Sequence, residues 1–106
     1  MSYQTSWQGS DVQIIFEGTV VIDDIREADN LLYGDPRFDT MKYQLFDFFN
    51  VEKFDVSKKE VEVIAALDSA SSVWNNNIKV AIVAIDPYIV ELITVYKNKM
   101  AGTKWQ

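Results

Sequence analysis

The sequence predicts a small α/β domain with a mixed, mostly parallel sheet and packed helices. Two observations support this: the N-terminal segment has the pattern of a β-hairpin, and the rest of the chain alternates helical patterns with apolar strand segments. Helices between successive strands form right-handed crossovers, which join parallel strands. The expected order is β-β-α-β-α-β-α-β, in one domain that spans residues 1–106.

The first elements are the predicted hairpin, over residues 3–22, and a short helix. Side chains alternate in "SYQTSW", "QGSD" supplies turn residues, and "VQIIFEGTVVI" is rich in β-branched residues. An amphipathic helix follows in "DDIREADNLLYG" and ends at Gly34, with Pro36 beyond it. Its apolar stripe is expected to contain Val21, Ile25, Ala28 and Leu32.

Strands and helices alternate in the remainder of the chain. "MKYQLFDFF" is an aromatic-rich strand, and "IKVAIVAI" is a β-branched run typical of a strand buried on both faces, so we expect it at the centre of the sheet. Residues 57–74 predict the longest helix. Its broad buried face is expected to contain Val61, Val63, Ile64, Ala65, Leu67, Ala70 and Trp74. A last helix begins at Asp86 and Pro87 and ends by Gly102, and "TKWQ" starts a final strand.

Acidic residues outnumber basic ones, with a net charge of −6 and a pI near 4.4. This charge disfavours nucleic acid and anionic lipid surfaces as partners, because both would add repulsion. The excess of acidic residues lies in residues 1–50, with nine acids against three bases. Such an acidic region could bind a basic partner, or it could simply be a solvated surface. No apolar run is long enough to insert into a bilayer, and a polar start without cysteine predicts a cytoplasmic protein.

The chain contains no histidine and no cysteine, which removes much hydrolytic and metal chemistry. A Ser/His/Asp triad, a Cys/His pair and zinc sites built on nitrogen or sulfur are excluded. The four glycines lie far apart, so a phosphate-binding loop cannot be assembled from sequence neighbours. We therefore expect no enzyme activity, no cofactor and no metal site.

Two sets of side chains are candidate sites. Asp47 and Asp86 form a possible carboxylate pair, and such a pair performs acid/base catalysis when burial raises the pKa of one member. Each also has a structural explanation, since Asp86 suits a helix cap and Asp47 a buried turn. The aromatic candidates for an apolar ligand pocket, or else for ordinary core, are Tyr43, Phe46, Phe48, Phe54 and Tyr96.

Ser57 is both a candidate regulatory residue and a predicted helix cap. Ser57 and Glu60, three residues later, match the capping box. The cap alone is a sufficient reason for a serine at this position, and Ser57→Ala should lower the stability of the protein by about 1 kcal/mol. Phosphorylation is the alternative, because a helix N-terminus with Lys58 and Lys59 nearby favours a phosphate.

Three segments of the chain are "GTVVIDDI", "YGDPRFDTMKYQLFDFFNVEKFDVSKKEVEVIAALD" and "VAIVAIDPYIVELITVYKNKMAG". In these segments the chain resembles SpoIIAA-like proteins, which are related to the STAS domains of anti-sigma-factor antagonists and sulfate transporters. The resemblance in overall pattern covers nearly all of the chain. It implies a small α/β fold with a mixed sheet. It also implies docking to a partner protein, switched by a phosphorylated serine at the start of the helix after the Asp-containing strand.

The DSSG switch motif of such proteins falls on Asp55, Val56, Ser57 and Lys58. Val56 occupies the position of the phosphorylated serine in this motif. Ser57 matches the other serine of the motif, so Ser57 is the phospho-switch candidate. The resemblance also implies a further helix after the last strand, which this sequence does not contain. Apolar sheet surface near Trp105 is therefore expected to be covered in a homodimer through the C-terminal strand region.

Two functional hypotheses follow from the sequence. The first is a non-enzymatic regulatory or protein-interaction module of the SpoIIAA-like type, without the usual phosphoserine motif, that docks another protein or a second copy of itself. The alternative is a binder of a small apolar ligand, such as a lipid or fatty acyl chain, in an aromatic-lined pocket. An acid/base or magnesium enzyme centred on Asp47 and Asp86 is a third, residual interpretation.

Overall fold

The computed structural model of the chain describes residues 3–75 and 77–101. The elements of these ranges, in chain order, are β1 (Tyr3–Gln8), β2 (Asp11–Val21), α1 (Ile22–Tyr33), a 3-10 helix (Pro36–Thr40), β3 (Tyr43–Asp55), α2 (Lys58–Ser71), β4 (Lys79–Val83) and α3 (Pro87–Met100).

The strands form one mixed sheet in the order β1-β2-β3-β4. β1 and β2 are an antiparallel hairpin, and Gly9 in its turn has a φ of +62°, a conformation that favours glycine. α1 connects β2 to β3, and α2 connects β3 to β4, each pair being parallel. The α/β class and the mixed sheet are confirmed. The sheet of the described residues is only partly parallel, at two of its three strand pairings.

One face of the sheet packs against the helices. Ile14 and Phe16 of β2 and Phe46 and Phe48 of β3 are buried there, and the rings of Phe16 and Phe48 stack at a centroid distance of 4.7 Å. Side chains alternate along a strand, so the residues between them belong to the opposite, open face. Exposed apolar residues of that open face are Tyr43, Phe49 and Val83. The core therefore lies between the sheet and the helices.

The prediction that residues 78–85 form a central strand is wrong for the described part of the sheet. β4 is an edge strand, and its outward residues Lys79, Ala81 and Val83 are exposed. A β-branched run indicates a strand, but it does not tell whether a further strand pairs with its free side. The final strand expected over residues 103–106 lies outside the described residues.

The predicted stripe of α1 is buried at Ile25, Ala28 and Leu32, whereas Val21 is the extended, partly exposed N-cap residue. The buried face of α2 is narrower than predicted. This helix ends at Ser71, and the predicted core residues that are exposed are Val63, Leu67, Ala70 and Trp74. A helix that packs on one layer buries only a stripe of its surface, and the buried stripe of α2 consists of Val61, Ile64, Ala65 and Asp68.

Both predicted helix caps are confirmed. The Ser57 hydroxyl accepts a hydrogen bond from the Glu60 N–H at 3.2 Å, and the Ser57 N–H donates to the Glu60 carboxylate at 2.9 Å. Asp86 accepts from the N–H groups of Tyr88 and Ile89, and Pro87 occupies the first turn of α3. These bonds satisfy N–H groups that a helix start otherwise leaves without partners.

α3 extends to Met100, with Ala101 as its C-cap residue. The predicted stop at Gly102 lies outside the described residues. Among the helices of the described ranges, none combines the length and the apolar character needed to cross a bilayer.

Candidate ligand-binding site

A cavity of about 70 Å³ lies between the inner face of the sheet and the three helices. Apart from two aspartates and one tyrosine, every residue that lines it is aliphatic or a phenylalanine. The lining residues are Ile25, Asp29, Phe46, Phe48, Phe54, Val61, Ile64, Asp68, Val80, Ile82, Ile89, Leu92, Ile93 and Tyr96.

The cavity opens between β4 and α3. Val80 and Ile82 of β4 and Ile93 of α3 are only half-buried, whereas the lining residues of α1 are buried. The same three residues and Tyr96 also line a surface groove of about 450 Å³, which continues past Lys97 to the end of α3. The cavity and the groove therefore share the wall that these four residues form.

Two buried carboxyl groups, of Asp29 and Asp68, form the polar end of the cavity. Asp29 is four residues after Ile25 on α1, and Asp68 is four residues after Ile64 on α2, so helical spacing places each acid on an apolar stripe. The two side chains are only 5% and 4% exposed. Their carboxyl groups are hydrogen-bonded to each other, which requires one of them to hold a proton.

Two tyrosines fix Asp68 in this position. The Tyr96 hydroxyl donates to Oδ2 of Asp68 at 2.6 Å, and the Tyr33 hydroxyl donates to Oδ1. Together with the proton from Asp29, Asp68 thus accepts three hydrogen bonds, contributed by α1 and α3. A carboxylate with several donors is stabilised in its ionised form even where it is buried.

The electrostatics place the shared proton on Asp29. Burial raises the pKa of Asp29 well above its usual value, and the negative charge of Asp68 raises it further. Burial also raises the pKa of Asp68, but the hydrogen bonds from the tyrosines and from Asp29 act in the opposite direction. Burial raises the pKa of Tyr33 and Tyr96 as well, so both hydroxyls keep their protons and donate.

The second carboxyl oxygen of Asp29 has no hydrogen-bond partner among the described residues. Asp29 lines the cavity, and its Oδ2 is the buried side-chain atom left unpaired. Buried polar atoms in native proteins almost always have a partner, in the protein or in ordered water. This atom is therefore a candidate contact for a molecule in the cavity.

Hydrogen bonds within the cluster engage its protons. The hydrogen bond between Asp29 and Asp68 is one of the causes that shift the pKa values of the two carboxyl groups. The hydroxyl protons of Tyr33 and Tyr96 are directed at Asp68. What the cavity presents to a molecule inside it is an apolar wall and one acceptor oxygen.

Four of the five aromatic residues proposed from the sequence line this cavity. Phe46, Phe48 and Phe54 come from β3, and Tyr96 comes from α3. Tyr43 does not line it: this side chain is 53% exposed on the open face of the sheet. The reason is strand alternation, which directs Tyr43 away from the face that Phe46 and Phe48 occupy.

Asp47 and Asp86 each have a structural role in the described part of the chain. Asp47 lies on the open face of β3 and accepts from the N–H of Phe49 at 2.9 Å, while Asp86 caps α3. No hydrogen bond joins the two carboxylates in the described part of the chain. Ser57 is exposed, and its hydroxyl oxygen already caps α2, so its phosphorylation stays a prediction.

Asp29, Asp68 and Tyr33 belong to the site but are not among the residues predicted from the sequence. The signal was present, because Asp29 and Asp68 interrupt apolar stripes at helical spacing, where acids are rarely buried without a partner. Their pairing across two helices was not visible from local patterns. In the described ranges, no group of three or more acidic side chains is arranged to hold a metal ion.

Comparisons with known proteins gave no match: no protein-family model, no curated protein and no solved structure is significantly similar to this chain.

Proposed function

We propose that this protein is a non-enzymatic binding module for a small, largely apolar ligand. The observation that supports the proposal is the aromatic-lined cavity with an unpaired, buried acceptor at its inner end. Binding sites of small molecules are typically apolar concavities with a few polar groups that fix orientation. Such a ligand would place its polar group at Asp29 and its apolar body against Phe46, Phe48 and Ile93.

In this proposal, the cavity joins the neighbouring groove in one path to the surface, and this path sets the size of the ligand. One water occupies about 30 Å³ in the liquid, so the inner cavity of about 70 Å³ holds about two or three non-hydrogen atoms. A longer alkyl or aryl body would extend into the groove between β4 and α3. Burial of each methylene contributes about 0.8 kcal/mol, so affinity should rise about fourfold per methylene until the groove is filled.

Isothermal titration calorimetry with the linear alcohols from butan-1-ol to hexan-1-ol tests the proposal. Val80→Phe should abolish binding because it fills the path, since Val80 lines both the cavity and the groove. The matched control is Val83→Phe, a change of the same residue type on the same strand but on the open face. Absence of saturable binding to the wild type, or equal binding by both variants, would overturn the proposal.

We propose protein interaction as a second function, carried by the open face of the sheet. Tyr43 and Phe49 are about half exposed there, at 53% and 54%, beside the half-buried Ile15 and Leu45. Exposed apolar side chains on one sheet face are typical of a docking surface. A regulatory role through a partner protein also fits the resemblance to SpoIIAA-like and STAS domains.

The interaction hypothesis is tested by a pull-down from cells of the source organism. A partner that binds this face should be retained by the wild type and lost with the double variant Tyr43→Ser/Phe49→Ser. Recovery of the same partners by both proteins would contradict docking on this face. The predicted homodimer through the C-terminal strand region is tested by light scattering at high protein concentration, where a monomeric mass would contradict it.

A further inference from the structure

The buried carboxyl pair leaves one hydrogen-bonding position free. Asp29 lines the cavity, and its Oδ2 is buried without a hydrogen-bond partner among the described residues. A carboxyl oxygen that carries no proton accepts hydrogen bonds and does not donate them. An unsatisfied buried acceptor is unfavourable, and a ligand that donates to it would remove this penalty.

The described lining of the cavity contains no donor for this oxygen. Tyr96 donates its hydroxyl proton to Asp68, and so does Tyr33 beside it. The other lining side chains are hydrocarbon, apart from the aspartates themselves. An incoming molecule therefore meets an acceptor without a competing donor, and its polar group must itself donate.

The pair also carries a negative charge that no base neutralises in the described part of the chain. One proton shared by two carboxyl groups leaves a single negative charge. The ion pairs of the described residues join Arg37 to Asp35 and Lys99 to Glu62, so neither involves Asp29 or Asp68. A charge held in apolar surroundings attracts an opposite charge far more strongly than it would in water.

We infer that the ligand of this cavity is an apolar primary amine, whose protonated amino group donates a hydrogen bond to Oδ2 of Asp29. The inference rests on the proposed function and narrows it to one chemical class. The alkyl or aryl part of the amine lies against Phe46 and Phe48 and extends past Ile93 into the groove.

The inference departs from the fatty acyl chain expected from the sequence. A fatty acid that entered head first would bring a carboxylate against the carboxyl pair, where like charges repel at low dielectric. A fatty acid that entered tail first would leave Oδ2 of Asp29 unpaired. An alcohol satisfies the acceptor but does not neutralise the charge, so it should bind with intermediate affinity.

Calorimetry with three probes of equal chain length tests the inference: hexylamine, hexan-1-ol and hexanoate, at neutral pH, where the amine is protonated like a lysine. Hexylamine is expected to bind the wild type at least tenfold more tightly than hexan-1-ol, and hexanoate is expected not to bind. Asp29→Leu should remove the preference for the amine while hexan-1-ol still binds. Asp29→Asn should keep the preference, because an amide donates to Asp68 and retains an acceptor oxygen.

The outcomes separate this inference from the proposed function. If hexan-1-ol binds and hexylamine binds no more tightly, or if hexanoate binds as well as hexylamine, the amine inference is wrong and the apolar binding site stands. If hexylamine keeps its advantage in Asp29→Leu, the amine recognises another group and the inference is wrong. If hexan-1-ol does not bind the wild type, the proposed function itself fails.

Discussion

Replacing Asp29 by asparagine tests the state of the buried carboxyl pair through the pH dependence of stability. In the unfolded chain, Asp29 has the ordinary carboxyl pKa of about 3.8. In the folded protein, burial and the charge of Asp68 raise this pKa. Between the two pKa values the folded state therefore holds one proton that the unfolded state has released.

This extra proton fixes the sign and the size of the effect. When the folded state binds more protons than the unfolded state, the free energy of unfolding falls as pH rises. The slope is about 1.4 kcal/mol per pH unit for a single proton. The stabilisation is complete below the unfolded pKa and is lost as pH rises toward the raised folded pKa. Asparagine does not titrate and imitates the protonated acid, so this part of the slope should disappear in Asp29→Asn.

Urea denaturation followed by circular dichroism, at intervals between about pH 4 and pH 8, measures the difference. The stability of Asp29→Asn relative to the wild type should increase by about 1.4 kcal/mol with each pH unit until the folded pKa is reached. Val83→Ala, which changes a side chain on the open face that does not titrate, is the control and should keep the wild-type slope. If the free energy of unfolding changed with pH in the same way for the wild type and Asp29→Asn, Asp29 would be ionised in the folded protein. The description of the carboxyl pair would then be wrong.

Two further predictions concern the scaffold and are also measured by urea denaturation. Ser57→Ala should lower the free energy of unfolding by about 1 kcal/mol because α2 loses its cap. Ser57→Asp should keep most of the wild-type stability, because aspartate also caps helices. Equal loss of stability in both variants would contradict the capping role. Phe48→Ala should lower the free energy of unfolding by about 3–5 kcal/mol, because Phe48 is buried in the core. Phe49→Ala, at the next residue and on the open face, should lower it far less. Similar losses of stability in the two variants would contradict the assignment of the two faces.

Local features of this fold could be predicted from sequence because their causes are local. The caps at Ser57 and Asp86 depend on residues within three positions, and the turn at Gly9 depends on the glycine itself. The hairpin, the three helices and the mixed sheet followed from periodicity and from the handedness of crossovers.

Features that depend on contacts between distant elements were not predictable in the same way. β4 has an apolar pattern, but its edge position in the described sheet depends on whether a further strand pairs with its free side. Tyr43 was assigned to the pocket by residue type, and strand alternation places it on the other face. The pairing of Asp29 with Asp68 depends on how α1 packs beside α2, so only the presence of an acid on each apolar stripe was visible in the sequence.

The most direct test of the central claim, that the cavity between sheet and helices binds an apolar amine, is methyl NMR with selectively labelled isoleucine. Ile25, Ile64, Ile82, Ile89 and Ile93 line the cavity, whereas Ile15 lies on the open face and Ile85 is 68% exposed. Titration with hexylamine should shift the resonances of the five lining residues in one saturable process and leave those of Ile15 and Ile85 in place. Shifts confined to Ile15 and Ile85, or no saturable shift at any isoleucine, would contradict the account.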